Sequence, residues 1–391
     1  MAFVFSVAGF GLGALLMLAV GWLSSYTLRL MVLNGKLSRR YSYRHVAARA
    51  LGSSLSKVVD VMISSYGFGL LIAYWNILGD FIPPVIRGLF SLFGVHLSDT
   101  SFYTSGPIVA LIVGFIGVFP LCCLRNMEPL GFTSGVALGG ICLTVVGVGI
   151  QFFITIGKVG FGTMVSSVQW FNFSFDVFRI IPIISLSFSA HLGVLRLYQE
   201  LHQRSVKRMF GVVMTAVCLN FFFYTLCGGL GYFSFGSETA PNLINSYDED
   251  SMLRTMSQIA MIFVIGFSYP LIQYPVRKAL IQFCPERHSK KLHYPFTMIL
   301  FFVPYLISLL IDDLSIILGF LGSTFGIMLS YILPGVLFLK LRNTDFGVVD
   351  SAQSKTSKAD FGVLGALLCI IGGGIIGIIG FSMNLRAVLT K

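Results

Sequence analysis

The sequence predicts an all-α polytopic membrane protein, and two observations carry this prediction. Hydrophobic residues make up 55% of the 391 residues and charged residues only 11%, and the mean hydropathy of +0.85 lies outside the range of soluble domains. The chain also contains ten long apolar runs, each of which approaches or exceeds the roughly 20 residues that a membrane-spanning helix needs. The runs cover residues 12–33, 58–86, 105–124, 130–156, 177–198, 209–235, 253–275, 293–311, 314–339 and 361–384.

Helices explain these runs better than strands do. An open sheet edge cannot satisfy its backbone groups in lipid, and the runs are too long and too uniformly apolar for the alternating strands of an outer-membrane barrel. Basic residues give the orientation, because Lys and Arg near span ends stay on the cytoplasmic side. Of the 27 Lys and Arg residues, 21 fall on one side of a ten-span alternation, at positions 29–57, 125, 196–208, 277–291 and 340–358. The net charge of +11 therefore predicts no nucleic-acid partner.

The first residues already lie in an apolar segment, and no basic residue precedes Arg29. A secretory signal would need a basic region, an apolar region and a cleavage site with small residues. Under the predicted orientation, the first full span runs from the outside to the inside, and nothing at the start of the chain directs it there. We therefore expect Met1–Ala8 to be the last turns of a helix that begins upstream, followed by a turn at Gly9–Gly11. An incomplete gene model or a truncated fragment would explain such a start.

The run at 177–198 differs from the others because it places polar groups at the depth of the hydrocarbon. It contains Pro182 and then Ser185, Ser187, Ser189 and His191. Such residues cost free energy unless they face partner helices or line a cavity. Two interpretations are open: polar contacts between packed helices, or a broken helix at a substrate site, which is typical of secondary transporters.

Seven phrases give the chain a resemblance to a known family. They are AFVFSVAG at 2–9, LSSYTLRLMV at 23–32, AYWNILGDFIPPVI at 73–86, PLCCLRNMEPLGFTSG at 120–135, SFSAHLGVLRLYQEL at 187–201, YPLIQYPVRKAL at 269–280 and GFLGSTFGIMLSYILPGVLFLKL at 319–341. In this order and spacing they resemble the amino acid/auxin permease family, and within it the sodium-coupled neutral amino acid transporters.

This resemblance implies a transporter fold of the leucine-transporter type, with two inverted repeats of five helices and a peripheral eleventh helix. The chain would form one transmembrane domain over residues 1–391. Its first repeat, 1–156, would lack half of helix 1, and its second repeat would cover 177–340. Residues 361–384 would form the eleventh helix. Pro275 and Pro334 are predicted to end helices, because proline lacks a backbone donor.

The resemblance also implies where a substrate would bind. Helix 6 would be unwound near Phe188, Ser189, Ala190 and His191, with Ser189 and the neighbouring backbone next to the substrate and Phe188 as a lid or a wall. Ser185 on the same helix belongs to the expected site. For His191, two roles are open: a proton carrier, or a neutral side chain that bonds across helices, which we favour.

Helices 3 and 10 of the resembled plan add further candidates. Tyr66 and Gly69 would edge the pocket on helix 3, and Thr324 would lie among small residues on helix 10. Ordinary packing explains these positions equally well or better. Ser268, within Gly266–Pro270, occupies the place of a two-hydroxyl sodium-binding pattern from which one hydroxyl is lost, so it is a candidate sodium ligand.

The expected function is secondary active transport of a neutral amino acid, by alternating access, in symport with sodium or protons. No cofactor is expected beyond that coupling ion. The alternatives are a membrane amino acid sensor with little flux and a transporter of cationic amino acids. The chain lacks the motifs of an enzyme. We expect a monomer in the lipid bilayer of the plasma membrane or of a vacuolar or lysosomal membrane.

An Asn172-Phe173-Ser174 sequon precedes helix 6. Because the sequon lies so near the membrane, we do not expect it to be used for glycosylation.

Overall fold

The computed structural model describes residues 1–92, 106–124, 130–248, 251–281, 291–311, 313–342 and 358–389. Position 125 and parts of the predicted cytoplasmic stretches 277–291 and 340–358 lie outside these residues. All regular secondary structure in the described ranges is helical. Eight of the helical segments are long and apolar enough to cross a membrane, and two shorter apolar helices, Gly106–Gly117 and His293–Ser308, join them. Together they coincide with the ten predicted runs, so the predicted all-helical class is confirmed.

The helices, in chain order, are α1 (Ala2–Ala8), α2 (Phe10–Ser38), α3 (Tyr43–Leu51), α4 (Ser53–Leu92), α5 (Gly106–Gly117), α6 (Phe119–Cys122), α7 (Leu130–Val159), α8 (Phe161–Ser167), α9 (Val177–Ser187), α10 (His191–Glu200), α11 (Val206–Phe235), α12 (Met252–Ile281), α13 (His293–Ser308), α14 (Leu314–Leu321), α15 (Leu333–Arg342) and α16 (Lys358–Leu389). Short 3-10 turns follow α11 at Gly236–Glu238 and Leu243–Ser246. Two π-helical segments, Gly322–Gly326 and Met328–Ile332, lie between α14 and α15.

The break between the first two helices lies where the sequence predicts it. Helix α1 ends at Ala8, and Gly9 takes φ 80° and ψ 159° before α2 begins at Phe10. Because a side chain strongly disfavours that conformation, glycine makes the break possible. The turn is shorter than predicted, since Phe10 and Gly11 already belong to α2.

The described residues form two compact units. The first comprises Met1–Ser6, Ser64–Gln169 and Cys227–Ile317. Its core surrounds Trp75 on α4, which is 1% exposed. The indole Nε1 donates to the Phe301 carbonyl at 3.0 Å and to the Tyr269 hydroxyl at 3.1 Å. A buried Trp side chain needs such a partner for its N–H group, so these two bonds fix α4 against α12 and α13.

The second unit comprises Val7–Ile63, Trp170–Leu226 and Leu318–Lys391. Here α2 packs against α10 and α15, and α16 packs against α9, the π segments and α15. Glycines allow these helices to come into close contact. For example, a Cβ on Gly335 would lie 2.9 Å from the Ala366 carbonyl oxygen. Most of the remaining α16 surface is exposed apolar side chains such as Leu368 and Ile378, as expected for a helix that faces lipid.

The predicted helix ends at two prolines are wrong. Helix α12 runs through Pro275 to Ile281, because the turn beyond the proline is anchored by Arg277, whose guanidinium donates to the Cys122 carbonyl at 2.6 Å and to the Thr297 hydroxyl at 2.7 Å. Pro334 lies inside the continuous helical segment Leu314–Arg342, directly after the second π segment. The helix therefore continues beyond this proline to Arg342.

Candidate functional site

The span at 177–200 is broken in its middle, as the sequence predicts. Helix α9 ends at Ser187 and α10 begins at His191. At the end of α9, the Phe188 N–H donates to the Ile184 carbonyl at 3.3 Å and the Ser189 N–H donates to the Leu186 carbonyl at 3.1 Å. Within the part of the chain that the structure describes, no acceptor bonds to the N–H groups of residues 190–192.

Neighbouring side chains hold this break open. In a continuous helix, the His191 N–H would donate to the Ser187 carbonyl. Instead, the Tyr224 hydroxyl of α11 donates to that carbonyl at 3.1 Å. The hydroxyls of Ser185 and Ser187 fold back onto carbonyls one turn earlier, at 3.0 and 2.9 Å, a contact that bends helices. The break therefore depends on hydrogen bonds to side chains, and no proline or glycine lies within it.

A set of polar side chains from three regions of the second unit surrounds the break, and we call it the hydroxyl cluster. Three hydrogen bonds define it: Ser189 to Ser330 at 2.8 Å, Ser24 to Tyr331 at 2.8 Å, and Thr27 Oγ1 to His191 Nε2 at 2.9 Å. These bonds join α2 and the second π segment to the segment 189–191. Ser189 is half-buried and the other members are buried, with Ser24, Thr27 and His191 at 0% exposed.

The π segments bring Ser330 and Tyr331 to this cluster. Their wider turns leave backbone groups available to other partners, and π-bulges of this kind are frequent at functional sites. The Leu329 carbonyl accepts the Tyr43 hydroxyl of α3 at 2.7 Å. Burial raises the pKa of the Tyr43 hydroxyl well above its usual range, so the group stays protonated and can donate.

Close packing fixes α9 beside the cluster. Gly322 lies against the Pro182 carbonyl so closely that a Cβ would overlap it. Phe188 is 3% exposed and meets the Tyr224 ring edge-on, with centroids 5.6 Å apart. A Cβ on Gly21 would lie 3.2 Å from the Phe188 ring. The predicted lid or wall residue therefore packs within the second unit.

The electrostatics of the break suit a small zwitterion. The hydroxyl cluster contains hydroxyl groups and one imidazole, and none of its members carries a carboxylate. The N-terminus of a helix attracts anions through its free N–H groups, and Ala190 at the start of α10 is exposed. His191 Nδ1 is buried without a hydrogen-bond partner among the described residues. The arrangement can accept a carboxylate at α10 and a donor group at the hydroxyl oxygens.

The two carboxylates of α4 have other partners. Asp60 on α4 lies 3.1 Å from the Arg44 guanidinium. Asp80 accepts the Asn245 side-chain amide at 2.9 Å. Among the described residues, no group of three or more His, Cys, Asp or Glu side chains is close enough to hold a metal ion.

The predicted site residues of the first unit lie on α4 and α12. Tyr66 is 7% exposed, and Gly69 lies one turn further along α4. Ser268, the candidate sodium ligand, lies close to the Tyr74 side chain. These contacts leave the roles of Tyr66, Gly69 and Ser268 as predictions.

The structure brings only part of the predicted set in the second unit together. Ser189 and His191 join the cluster, and Ser185 lies close to Tyr331. Thr324 does not join it through a hydrogen bond, because its hydroxyl donates to the Phe320 carbonyl of its own helix at 2.7 Å. For His191, the contact with Thr27 agrees with the favoured role of a side chain that bonds across helices.

Four cluster members were missed in the sequence: Ser24, Thr27, Ser330 and Tyr331. Both pairs stand in apolar runs, in the phrases LSSYTLRLMV and IMLSYILPG. A polar residue in a membrane span is a functional candidate by default. Small hydroxyl residues are common in spans, however, and the π segment that aims Ser330 and Tyr331 has no sequence signal.

The chain is similar to known proteins over most of its length. The family model described as "Transmembrane amino acid transporter protein" matches residues 1–379. A similar curated protein is "Amino acid transporter AVT6E" of Arabidopsis thaliana, which is 27% identical over 355 residues, covering 86% of this chain and 71% of the relative. A similar solved structure is MhsT in complex with L-phenylalanine, with a TM-score of 0.57 and 14% identity over 98% of this chain and 93% of that one.

Proposed function

The chain belongs to the transmembrane amino acid transporter family, since the family model covers nearly its whole length, and from this we propose that it is a secondary active transporter of neutral amino acids. It is an integral multi-pass membrane protein of the leucine-transporter fold and moves an amino acid across the bilayer. Transport by alternating access, the substrate class and the coupling ion are the parts that we propose.

The helix break at 188–190 carries the proposal. A substrate carboxylate would bind at the free N–H groups that begin α10, where the helix dipole favours negative charge. The ammonium group would bind at hydroxyl and carbonyl oxygens at the end of α9. Broken helices that receive a substrate in this way are a recurring feature of secondary transporters.

The composition of the hydroxyl cluster supports a neutral side chain on the substrate. A cationic amino acid would be stabilised by a carboxylate near its side chain, because burying an unpaired charge is costly. Neither the hydroxyl cluster nor the segment 185–191 contains Asp or Glu. His191 Nδ1 is the ring nitrogen that remains open to a hydrogen bond from or to the substrate.

For the coupling ion we propose sodium or protons, with Ser268 as the side chain to test for sodium. Its hydroxyl lies close to Tyr74, and a sodium ion bound there would use the Ser268 oxygen as a ligand beside backbone carbonyls. We further propose a monomer in the plasma membrane or in a vacuolar or lysosomal membrane.

Uptake into proteoliposomes tests these points. Radiolabelled neutral, cationic and acidic amino acids would be compared in sodium and in choline buffers, at equal pH and with an inward proton gradient. We expect neutral amino acids to accumulate above equilibrium in at least one gradient. If sodium drives uptake, Ser268→Ala should reduce the sodium dependence more than the choline-buffer rate. Accumulation of cationic amino acids alone would contradict the proposed substrate class.

A further inference from the structure

The two helix ends at Gly9 leave backbone groups without partners inside their own helices. The first N–H groups of α2 and the last carbonyls of α1 cannot bond within their helices. In a membrane protein these groups need partners elsewhere, because an unsatisfied backbone group costs several kcal/mol in hydrocarbon. A short segment just before α9, Trp170–Asn172, provides them.

Trp170 satisfies the start of α2. Its carbonyl accepts the Gly11 N–H at 2.8 Å and the Leu12 N–H at 3.2 Å. The Phe10 ring meets the Trp170 ring edge-on, with centroids 5.7 Å apart. A Cβ on Gly11 would lie 2.8 Å from the Phe171 ring, so glycine is needed for this close approach.

Asn172 satisfies the end of α1. Its backbone N–H donates to the Ala8 carbonyl at 2.8 Å, and its side-chain Nδ2 donates to the Val7 carbonyl at 3.0 Å. Both bonds lie within the second unit. One residue thus caps two of the free carbonyls, and the side-chain bond requires an amide donor.

We propose that Asn172 is a positioning residue that ties the α1–α2 break to the entry of α9, and that its sequon carries no glycan. The sequon Asn172-Phe173-Ser174 reads as a glycosylation site in sequence. A glycan would be attached to Nδ2, the atom that donates to Val7. A sugar at that atom would occupy the space between the two residues, so a glycosylated chain could not close the contact.

Asn172 lies close to the start of α9, so its bonds to Val7 and Ala8 also position that helix. Only five positions separate Asn172 from Val177, the first residue of α9. The connection between them is held by turns, in which Val177, Phe178 and Arg179 donate to carbonyls three residues earlier at 3.2, 3.1 and 2.9 Å. The outer end of the broken helix is therefore fixed to the α1–α2 break through a short, ordered link.

Two substitutions distinguish the role of the Asn172 side-chain amide from that of the glycosylation sequon. Asn172→Asp removes the side-chain donor and places a carboxylate against the Val7 carbonyl, whereas Ser174→Ala removes the sequon and keeps the amide. Hydrogen–deuterium exchange on the purified full chain would follow the peptide that covers residues 2–15. For Asn172→Asp we expect exchange at Gly11 and Leu12 to accelerate about fivefold or more, the factor that corresponds to a loss of about 1 kcal/mol. Ser174→Ala should match the wild type.

A peptide from α16 provides the internal control, because it should exchange equally in all three proteins. Faster exchange of that peptide in Asn172→Asp would indicate general unfolding of this variant. In that case Asn172→Gln provides the test, because it keeps an amide but moves it away from Val7. Asn172→Gln should then show the same faster exchange of the 2–15 peptide. Equal exchange of the 2–15 peptide in wild type, Asn172→Asp and Asn172→Gln would overturn the positioning role.

Expression in a eukaryotic host tests the glycan. We expect no mobility shift of the wild type on treatment with an amidase that removes N-glycans. A shift that Ser174→Ala abolishes would overturn the second half of the proposal. Uptake kinetics add a functional readout: Asn172→Asp should change KM or kcat at equal surface expression, and Ser174→Ala should not. The exchange and glycan results do not depend on transport, so they stand apart from the proposed function.

Discussion

The contact between Thr27 and His191 gives the sharpest test of the hydroxyl cluster. Thr27→Val keeps the shape of the side chain and removes the hydroxyl that lies 2.9 Å from His191 Nε2. Both residues are 0% exposed, and His191 Nδ1 already has no partner among the described residues. In the valine variant, neither ring nitrogen would have a hydrogen bond from the described side chains.

The size of the effect follows from these contacts. Hydrogen bonds between membrane helices contribute about 0.6 kcal/mol on average and up to about 1.7 kcal/mol. Leaving a buried polar group unsatisfied costs about 1–3 kcal/mol. Because the imidazole would lose its one hydrogen bond to the described residues, we expect a loss of about 1–2 kcal/mol, which corresponds to a factor of about 5–30 in an equilibrium between native and opened forms.

Thr27→Ser is the matched control, because it keeps the hydroxyl and removes one methyl group. That loss is about 0.8 kcal/mol of apolar burial. Thermal unfolding of the purified proteins, followed by size-exclusion chromatography, should rank wild type above Thr27→Ser and Thr27→Ser above Thr27→Val. Uptake per folded transporter should fall markedly for the valine variant alone. Equal stability and uptake for Thr27→Val and wild type would refute the role assigned to this bond.

Two further predictions concern the packing and the bonds around the break. Gly322→Val should lower the yield of folded protein, because its Cβ would overlap the Pro182 carbonyl and overpacking costs about 1–3 kcal/mol or more; Gly372→Val, at a position with nothing within 4 Å, should not, and equal yields would contradict this packing. Ser189→Ala and Ser330→Ala should each reduce uptake, and the double variant should lose no more than the worse single variant, because one 2.8 Å bond joins both residues. If the losses of uptake in the two single variants add up in the double variant, the two hydroxyls act separately.

The sequence predicts the fold well because its signal is length and hydrophobicity. All ten runs are helical in the structure, and the breaks at Gly9 and at 188–190 fall where glycine and intramembrane polar residues predict them. Proline was the weaker guide. At Pro275, tertiary anchoring by Arg277 overrides the local preference, and this anchoring involves α6, more than 150 positions away in the chain.

The site is predicted only in part, since its partners come from distant segments. The polar residues of 185–191 are conspicuous within their run, whereas Ser24 and Thr27 resemble ordinary small residues of a span. Their function as bonding partners becomes visible only when α2 lies beside α10. Thr324 shows the converse, because its hydroxyl donates to the Phe320 carbonyl one turn earlier although small residues surround it in the sequence, and its role at the site stays a prediction.

Protection of a cysteine at the break by substrate tests the central claim most directly. Ala190 is exposed at the start of α10, and Ala190→Cys would be labelled with a thiol reagent in the purified protein, with His202→Cys, also exposed in the same unit, as the control. A transported amino acid should slow labelling at position 190 in a saturable manner, with half-protection near its KM, and should leave position 202 unchanged. Unchanged labelling at position 190 under saturating substrate would contradict a binding site at the helix break.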